Sequence, residues 1–170
     1  MKDWLLELSL PVRPDWDSVE LLRCASVQCL ATVFRDRDYC DVLGMVAGEL
    51  LENALKYGDW SGPGERRLLV RANGDRVEIM VRHPVAAPPV RLFALLEHLR
   101  AAPSPEAAYL DRMQRVALDP ESTGGLGLAR IASEARCTLE AAMLTDSVVQ
   151  VAALHRPASL LVEPLLTQAP

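Results

Sequence analysis

The chain has 170 residues, of which 50% are hydrophobic and 24% are charged. This length suits one domain with a helical insertion rather than two independent cores, and the composition excludes a disordered or collagen-like chain. The formal charge of −5, without long runs of Lys or Arg, argues against direct binding of nucleic acid.

The first part of the chain predicts a strand, two helices and a hairpin. The strand is expected over 5–12. The first helix is expected over 18–34, with Asp17 or Ser18 as its N-cap, and the second from near Asp38 to Gly58. Two further strands, over 66–72 and 76–82, flank an Asn73-Gly74 pair that is typical of a tight hairpin turn.

The second part of the chain predicts a helical insertion and the rest of a sheet. A proline-rich segment over 84–89 leads into a helix over 91–101 and a second helix that starts at Ser104 and Pro105. A glycine-rich loop over 119–127 opens a helix over 126–135, and two last strands are expected over 137–144 and 147–154. The sum favours an α+β two-layer sandwich over a doubly wound parallel fold.

A polar stripe marks the second helix, which is otherwise apolar or small nearly all round. Glu49, Glu52, Asn53 and Lys56 fall within a sector of about 100° on a helical projection. One interpretation is a solvent-exposed face with an ion pair between Glu52 and Lys56. Asn53 favours a second interpretation, a functional one, because asparagine is a weak helix former. In that interpretation Glu49 and Asn53 supply oxygen ligands for Mg²⁺.

A glycine loop provides a complementary element at Gly124-Gly125-Leu126-Gly127-Leu128. Backbone N–H groups at the entrance of a helix favour an anion such as phosphate. The alternative is a helix-entry turn in which glycine serves only to adopt a positive φ.

Together these two segments resemble the GHKL (Bergerat-fold) ATPases, in particular their anti-sigma-factor and serine-kinase branch. The segment from Glu49 to Gly58, ELLENALKYG, is similar to the N-box of that family, and Gly124 to Leu128 is similar to its second glycine box. The resemblance implies a Bergerat sandwich, a mixed and mostly antiparallel sheet with helices on one face. The resemblance covers roughly Leu5 to Leu154. It implies a single domain over 1–156, with an ATP lid over about 88–116, followed by a tail over 157–170.

The resemblance also implies roles for individual residues. Glu49 would be the general base and Asn53 the Mg²⁺ ligand, with Lys56 among the nucleotide-binding residues. The backbone of the loop formed by Gly124, Gly125, Leu126 and Gly127 would contact the phosphates of ATP.

One motif departs from the family pattern. The family carries an Asp-x-Gly-x-Gly box after a strand such as 77–81, and its Asp accepts a hydrogen bond from adenine. Here the corresponding stretch is RHPVAA, with His83 near the position of that Asp and no glycine. His83 is either a substitute acceptor or a structural histidine. The degenerate first box, the proline-rich entry to the lid and the intact second box also resemble the SiaB-type regulatory kinases.

Two functions compete on this basis. The first is an ATP-dependent kinase that phosphorylates Ser or Thr of a protein partner, such as a STAS-domain antagonist, in a partner-switching pathway. The second is a non-catalytic module that sequesters a sigma factor or another signalling protein. A nucleotide-gated ATPase and an unrelated binding protein remain as further alternatives, and a homodimer is compatible with each.

The four cysteines and the apolar runs bear on location. Cys24, Cys29, Cys40 and Cys137 form neither a Cys-x-x-Cys pair nor a metal knuckle, so we expect them to be reduced. The apolar runs are shorter than the ~20 residues of a membrane span. We therefore predict a cytoplasmic protein without a membrane partner.

Overall fold

In the described residues, groups of strands are separated by a pair of helices and then by three helices. The computed structural model describes residues 4–11, 14–61, 64–73, 76–118 and 124–156. The elements in chain order are β1 (Trp4–Ser9), α1 (Trp16–Leu30), α2 (Arg37–Tyr57), β2 (Arg67–Asn73), β3 (Arg76–Pro84), α3 (Val90–Ala101), α4 (Pro105–Leu118), α5 (Leu126–Ser133), β4 (Thr138–Thr145) and β5 (Val148–His155). The tail over 157–170 and the turn residues 74 and 75 lie outside the described residues.

Aspartates cap the first two helices. Asp15 has an extended backbone, and its carboxylate accepts a hydrogen bond from the Ser18 N–H at 2.7 Å. Asp36 caps α2 in the same way, accepting from the Tyr39 N–H at 3.1 Å. The expected cap of α1 at Asp17 or Ser18 is therefore wrong by two or three residues, because Trp16 already has helical geometry. Each such cap typically contributes about 1 kcal/mol.

The five strands form one sheet in the order β1-β2-β3-β5-β4, and each neighbouring pair is antiparallel. The predicted hairpin is present as β2 and β3, with Asn73 opposite Arg76. The predicted α+β sandwich is confirmed. Its sheet, expected to be mixed and mostly antiparallel, is antiparallel throughout in the described residues.

One face of the sheet packs against the helices. Alternate residues of β3, namely Val77, Ile79 and Val81, belong to the same buried cluster as Leu43 and Leu50 of α2. Burial of each such side chain stabilises the fold by about 1.5–3 kcal/mol. Helix α2 contacts α1, α5 and β3, so its polar residues are held at the centre of the helical layer.

The opposite face of the sheet is polar. Leu69, Met80 and Ala152 lie in one row across β2, β3 and β5 and form a small buried cluster of their own. Glu65 lies beside this face, 2.9 Å from Arg67 Nε and 3.0 Å from Arg82 Nη1. These ion pairs lie on the face of the sheet opposite the main buried cluster.

Candidate functional site

Helices α2 and α5 are in close contact at Glu49 and Gly127. A Cβ atom added at Gly127 would overlap the Glu49 carboxylate, so glycine permits this approach. The Glu49 side chain is 19% exposed, and its Oε1 lies 3.3 Å from Arg130 Nη1. The structure thus places the N-box-like helix and the glycine-rich segment against each other through a carboxylate.

Arg130 links this carboxylate to the far end of α5. Its Nε donates to Glu134 Oε2 at 2.9 Å, while its Nη1 faces Glu49. The hydrogen bond to Glu134 is the main cause that raises the pKa of Arg130, and Glu49 adds to it. Sequence analysis did not single out Arg130. Its position three residues after Gly127 was an available signal, because residues i and i+3 share one face of a helix.

Asn53 has a local structural role beside any chemical one. Its amide nitrogen donates to the Glu49 carbonyl oxygen at 2.8 Å, one turn earlier in α2. This bond accounts for an asparagine in mid-helix, since a side chain bonded to the i−4 carbonyl is tolerated there. It also assigns the amide nitrogen, which leaves the carbonyl oxygen as the atom of Asn53 that suits a metal ion.

The polar stripe of α2 therefore divides into two parts. Lys56 Nζ lies 3.1 Å from Glu52 Oε2 and 5.3 Å from the centroid of the Trp16 ring, on the side of α1. Glu52 and Lys56 form the ion pair expected of a solvent-exposed face. Glu49, in contrast, faces α5.

The glycine loop has the geometry of a helix entrance. Gly125 is the N-cap of α5 and has a φ of 87°, a conformation that favours glycine. Leu126 is the first helical residue. A Cβ atom at Gly124 would lie 2.9 Å from the Tyr57 hydroxyl oxygen, so the end of α2 borders this loop as well. The part of the predicted loop over 119–123 lies outside the described residues.

The two helices of the predicted lid lie against the loop. The Leu95 side chain of α3 borders Gly125 so closely that an added Cβ atom would overlap it. Arg112 of α4 donates from Nη2 to the Gly124 carbonyl oxygen. The segment interpreted as a lid thus meets the loop through the Leu95 side chain and the Arg112 hydrogen bond, among other contacts.

His83 is enclosed at the end of β3. It is 4% exposed, and its Nδ1 lies 3.1 Å from the Pro84 carbonyl oxygen, which makes Nδ1 the protonated nitrogen. Burial lowers the pKa of the imidazole, and the bond to Pro84 opposes that effect. The ring therefore stays neutral near pH 7.

The Trp60 ring covers the imidazole. The two rings are stacked, with centroids 6.3 Å apart and an interplanar angle of 22°, and Trp60 Nε1 donates to the Ala54 carbonyl oxygen at 3.1 Å. The Trp60 ring thus lies beside the imidazole at the end of β3.

Metal and membrane features can be stated for the described residues only. Among them, no three or more His, Cys, Asp or Glu side chains cluster as a metal site would require. A Mg²⁺ ion at Asn53 would thus depend on phosphate and water oxygens for most of its shell. None of the helices in these ranges is long and apolar enough to cross a membrane.

A solved structure has the same architecture. The chain matches a chain in the crystal structure of the SiaB–SiaC complex from Pseudomonas aeruginosa, with a TM-score of 0.63 and 17% sequence identity. The match covers 88% of this chain and 89% of the other. The two chains share a fold. No protein-family model matches this sequence, and no curated protein does.

Proposed function

We propose that this protein is a cytoplasmic ATP-binding signalling regulator that transfers the γ-phosphate of ATP to a Ser or Thr hydroxyl of a protein partner. The observation that carries this proposal is the contact between Glu49 of α2 and Gly127 of α5. It brings a carboxylate next to the first turn of a helix whose entrance is rich in glycine. Both features suit phosphoryl transfer, which depends on the positioning of the phosphates and of the attacking hydroxyl.

The chemistry assigned to Glu49 is proton acceptance. The partner hydroxyl gives its proton to the Glu49 carboxylate as its oxygen attacks the γ-phosphorus. The bond between the γ-phosphorus and the bridging oxygen breaks, and ADP departs with that electron pair. The backbone N–H groups at Gly125, Leu126 and Gly127, at the entrance of α5, would bind the phosphate oxygens.

Asn53 is the residue that would hold Mg²⁺, through its carbonyl oxygen. When bound, the ion would neutralise the charge of the phosphates and orient them. The amide nitrogen, fixed on the Glu49 carbonyl, sets the rotamer of Asn53 before any ligand arrives. This preorganisation lowers the entropic cost of binding.

The partner is proposed to be a protein, such as a STAS-domain antagonist. Two arguments support this choice. The matched fold occurs in a complex of two proteins, and a site of this kind has no covalent machinery for processing a small molecule.

A second candidate function is a module that sequesters a sigma factor or other partner without catalysis. The observations that favour it are the cover of Trp60 over His83 and the ion pair between Glu49 and Arg130. In such a module these contacts would be permanent, and Glu49 and Asn53 would only stabilise the fold.

Calorimetric titration with ATP, with and without Mg²⁺, separates the two functions. The proposed kinase binds ATP in a Mg²⁺-dependent manner. Asn53→Ala removes that dependence, while Glu49→Gln retains binding. Asp41→Asn is the matched control, because it neutralises an exposed carboxylate of the same helix, eight residues before Glu49.

Transfer of radiolabelled γ-phosphate to a STAS-domain protein tests the reaction itself. Glu49→Gln should slow it by about 10²–10⁴-fold, the usual contribution of a general base. Absence of nucleotide binding in the wild-type protein would reject the kinase and favour sequestration. Equal loss of ATP binding in Glu49→Gln and Asn53→Ala would reject the role of base.

A further inference from the structure

We propose that Arg130 is a ligand of the γ-phosphate, and that in the nucleotide-free protein it masks Glu49. This inference rests on the proposed function and assigns a residue that distinguishes ATP from ADP. Arg130 exchanges one partner for another: it holds the Glu49 carboxylate in the free protein and the γ-phosphate in the complex.

The contact between Arg130 and Glu49 is suited to exchange. Its 3.3 Å separation is longer than the 2.7–2.9 Å that is typical of a strong charge-assisted bond. The Arg130 side chain is 42% exposed, so water and a ligand can reach it. A contact of this kind contributes little to the fold, and its loss on ligand binding has a correspondingly small cost.

Glu134 holds the guanidinium in place during the exchange. The bond from Arg130 Nε to Glu134 Oε2 is 2.9 Å long and uses the edge of the guanidinium that does not face Glu49. A phosphate that displaces the Glu49 carboxylate can therefore bind Nη1 and Nη2 while Nε keeps its partner. The raised pKa of Arg130 keeps the group charged throughout.

The location of Arg130 selects the acceptor. Gly127 and Arg130 are three residues apart in α5, and both face Glu49. A γ-phosphate bound at the entrance of α5 would lie close to Glu49. It would therefore also be within reach of the Arg130 side chain. The planar guanidinium binds phosphate oxygens in a bidentate manner, so a phosphate competes well for Arg130 against a single carboxylate oxygen.

The exchange couples nucleotide state to the availability of the base. When the γ-phosphate takes Arg130, the Glu49 carboxylate loses its cationic neighbour and can accept a hydrogen bond from the partner hydroxyl. ADP lacks the γ-phosphate and leaves the ion pair in place. The site then presents its base only when the phosphate to be transferred is present.

The test is the ratio of ADP to ATP dissociation constants, measured by calorimetry in the presence of Mg²⁺. Arg130→Ala should weaken ATP binding by about tenfold to a hundredfold, as expected for a lost hydrogen bond to a charged group, and should leave ADP binding within about twofold. Arg130→Lys should retain part of the preference. Added guanidinium ions should restore part of the preference for ATP over ADP in the Arg130→Ala variant.

Arg115→Ala is the matched control. Arg115 is a helical arginine whose Nε lies 2.8 Å from an aspartate one turn earlier, Asp111, and no described contact joins it to Glu49 or the glycine loop. Its removal changes the net charge by the same amount as Arg130→Ala. The ratio of ADP to ATP dissociation constants should equal that of the wild-type protein.

A second background separates phosphate binding from support of Glu49. In Glu49→Gln the ion pair is already lost, so Arg130→Ala should still reduce the ATP preference if Arg130 binds the phosphate. If Arg130 acts only by holding Glu49, the second substitution would change nothing, and our assignment would be overturned.

The remaining outcomes are also decisive. If wild-type protein binds ATP and Arg130→Ala keeps the full ratio, the assignment of Arg130 fails and the proposed function survives. If the wild-type protein binds neither nucleotide, both fail. Circular dichroism of each variant establishes that it is folded before titration.

Discussion

At the α5 end of the candidate site, Glu49 and Arg130 are partly exposed partners at 3.3 Å, whereas at the β3 end His83 is 4% exposed beneath the indole of Trp60. Polar contacts near water can change partners at little cost, but a buried imidazole under an aromatic ring cannot be uncovered without loss of packing. Under the proposed function, we therefore expect nucleotide affinity to come from the α5 end of the site. The following substitutions test each end in turn.

The largest expected effect is on stability at the β3 end. Trp60→Ala should lower the free energy of unfolding by about 3 kcal/mol, because it removes a large packed ring and its hydrogen bond to Ala54. Chemical denaturation measures this change. Trp16→Ala is the control: Trp16 is 55% exposed and has a cation–π contact with Lys56, so its loss should cost less than about 1 kcal/mol. Equal costs would contradict a tightly closed β3 end.

At the α5 end, Gly125→Ala should be destabilising by about 2 kcal/mol. The positive φ of 87° is strained for alanine, and the new methyl group would also displace Leu95. Gly124→Ala is its neighbour and control, since the added methyl group would meet only the hydroxyl of the exposed Tyr57. Thermal unfolding of the pair would show whether loop geometry or loop crowding dominates.

The buried His83 predicts a pH dependence of stability. Its pKa is lower in the folded state than the ordinary value of 6.5, so the unfolded chain binds the proton more readily. The contribution of His83 is complete above about pH 6.5 and decreases as the pH falls from there toward the lowered pKa. One proton gives a slope of at most about 1.4 kcal/mol per pH unit.

His83→Asn keeps an N–H group near the Pro84 carbonyl but cannot titrate, so it should remove this slope. Denaturation curves between pH 5 and 8 supply the comparison. His98→Asn controls for the loss of an exposed imidazole. A slope that persists in His83→Asn would show that other groups cause it.

The smallest expected effect concerns recognition of the nucleobase, adenine or guanine. Because Trp60 covers His83, the protein should discriminate ATP from GTP by less than about fivefold, or roughly 1 kcal/mol. Competition calorimetry with the two nucleotides measures the ratio. A preference for ATP of a hundredfold or more would show that another residue recognises adenine, and the contrast between the two ends would no longer hold.

Local patterns predict most of the fold. The Asn73-Gly74 hairpin, the Gly58 end of α2 and the Pro105 start of α4 agree with the structure to within one or two residues, because each depends on the conformational preferences of a few neighbouring residues. The cap of α1 was misplaced because Asp15, Asp17 and Ser18 all suit that role. Only the start of the helical backbone at Trp16 decides among them.

The site was predicted less completely, because its contacts join distant parts of the chain. Glu49 and Arg130 are 81 residues apart, and no local pattern pairs them. The cover of His83 by Trp60 likewise depends on how the end of α2 meets the end of β3. The sequence also showed no sign of the hydrogen bond from Asn53 to the Glu49 carbonyl oxygen, which explains why an asparagine occurs in the middle of α2.

The attachment of the α3–α4 segment to the glycine loop has a consequence for thermodynamic linkage. Leu95 and Arg112 hold Gly125 and Gly124, so a ligand that rearranges the loop must also shift α3 or α4. Reciprocity of binding free energies then requires that a partner bound to those helices change the affinity for the ligand by the same factor. Leu118 of α4, which is 87% exposed, is a position where a fluorescent label would report either event without blocking the loop. Both directions of the linkage can thus be measured with one labelled protein.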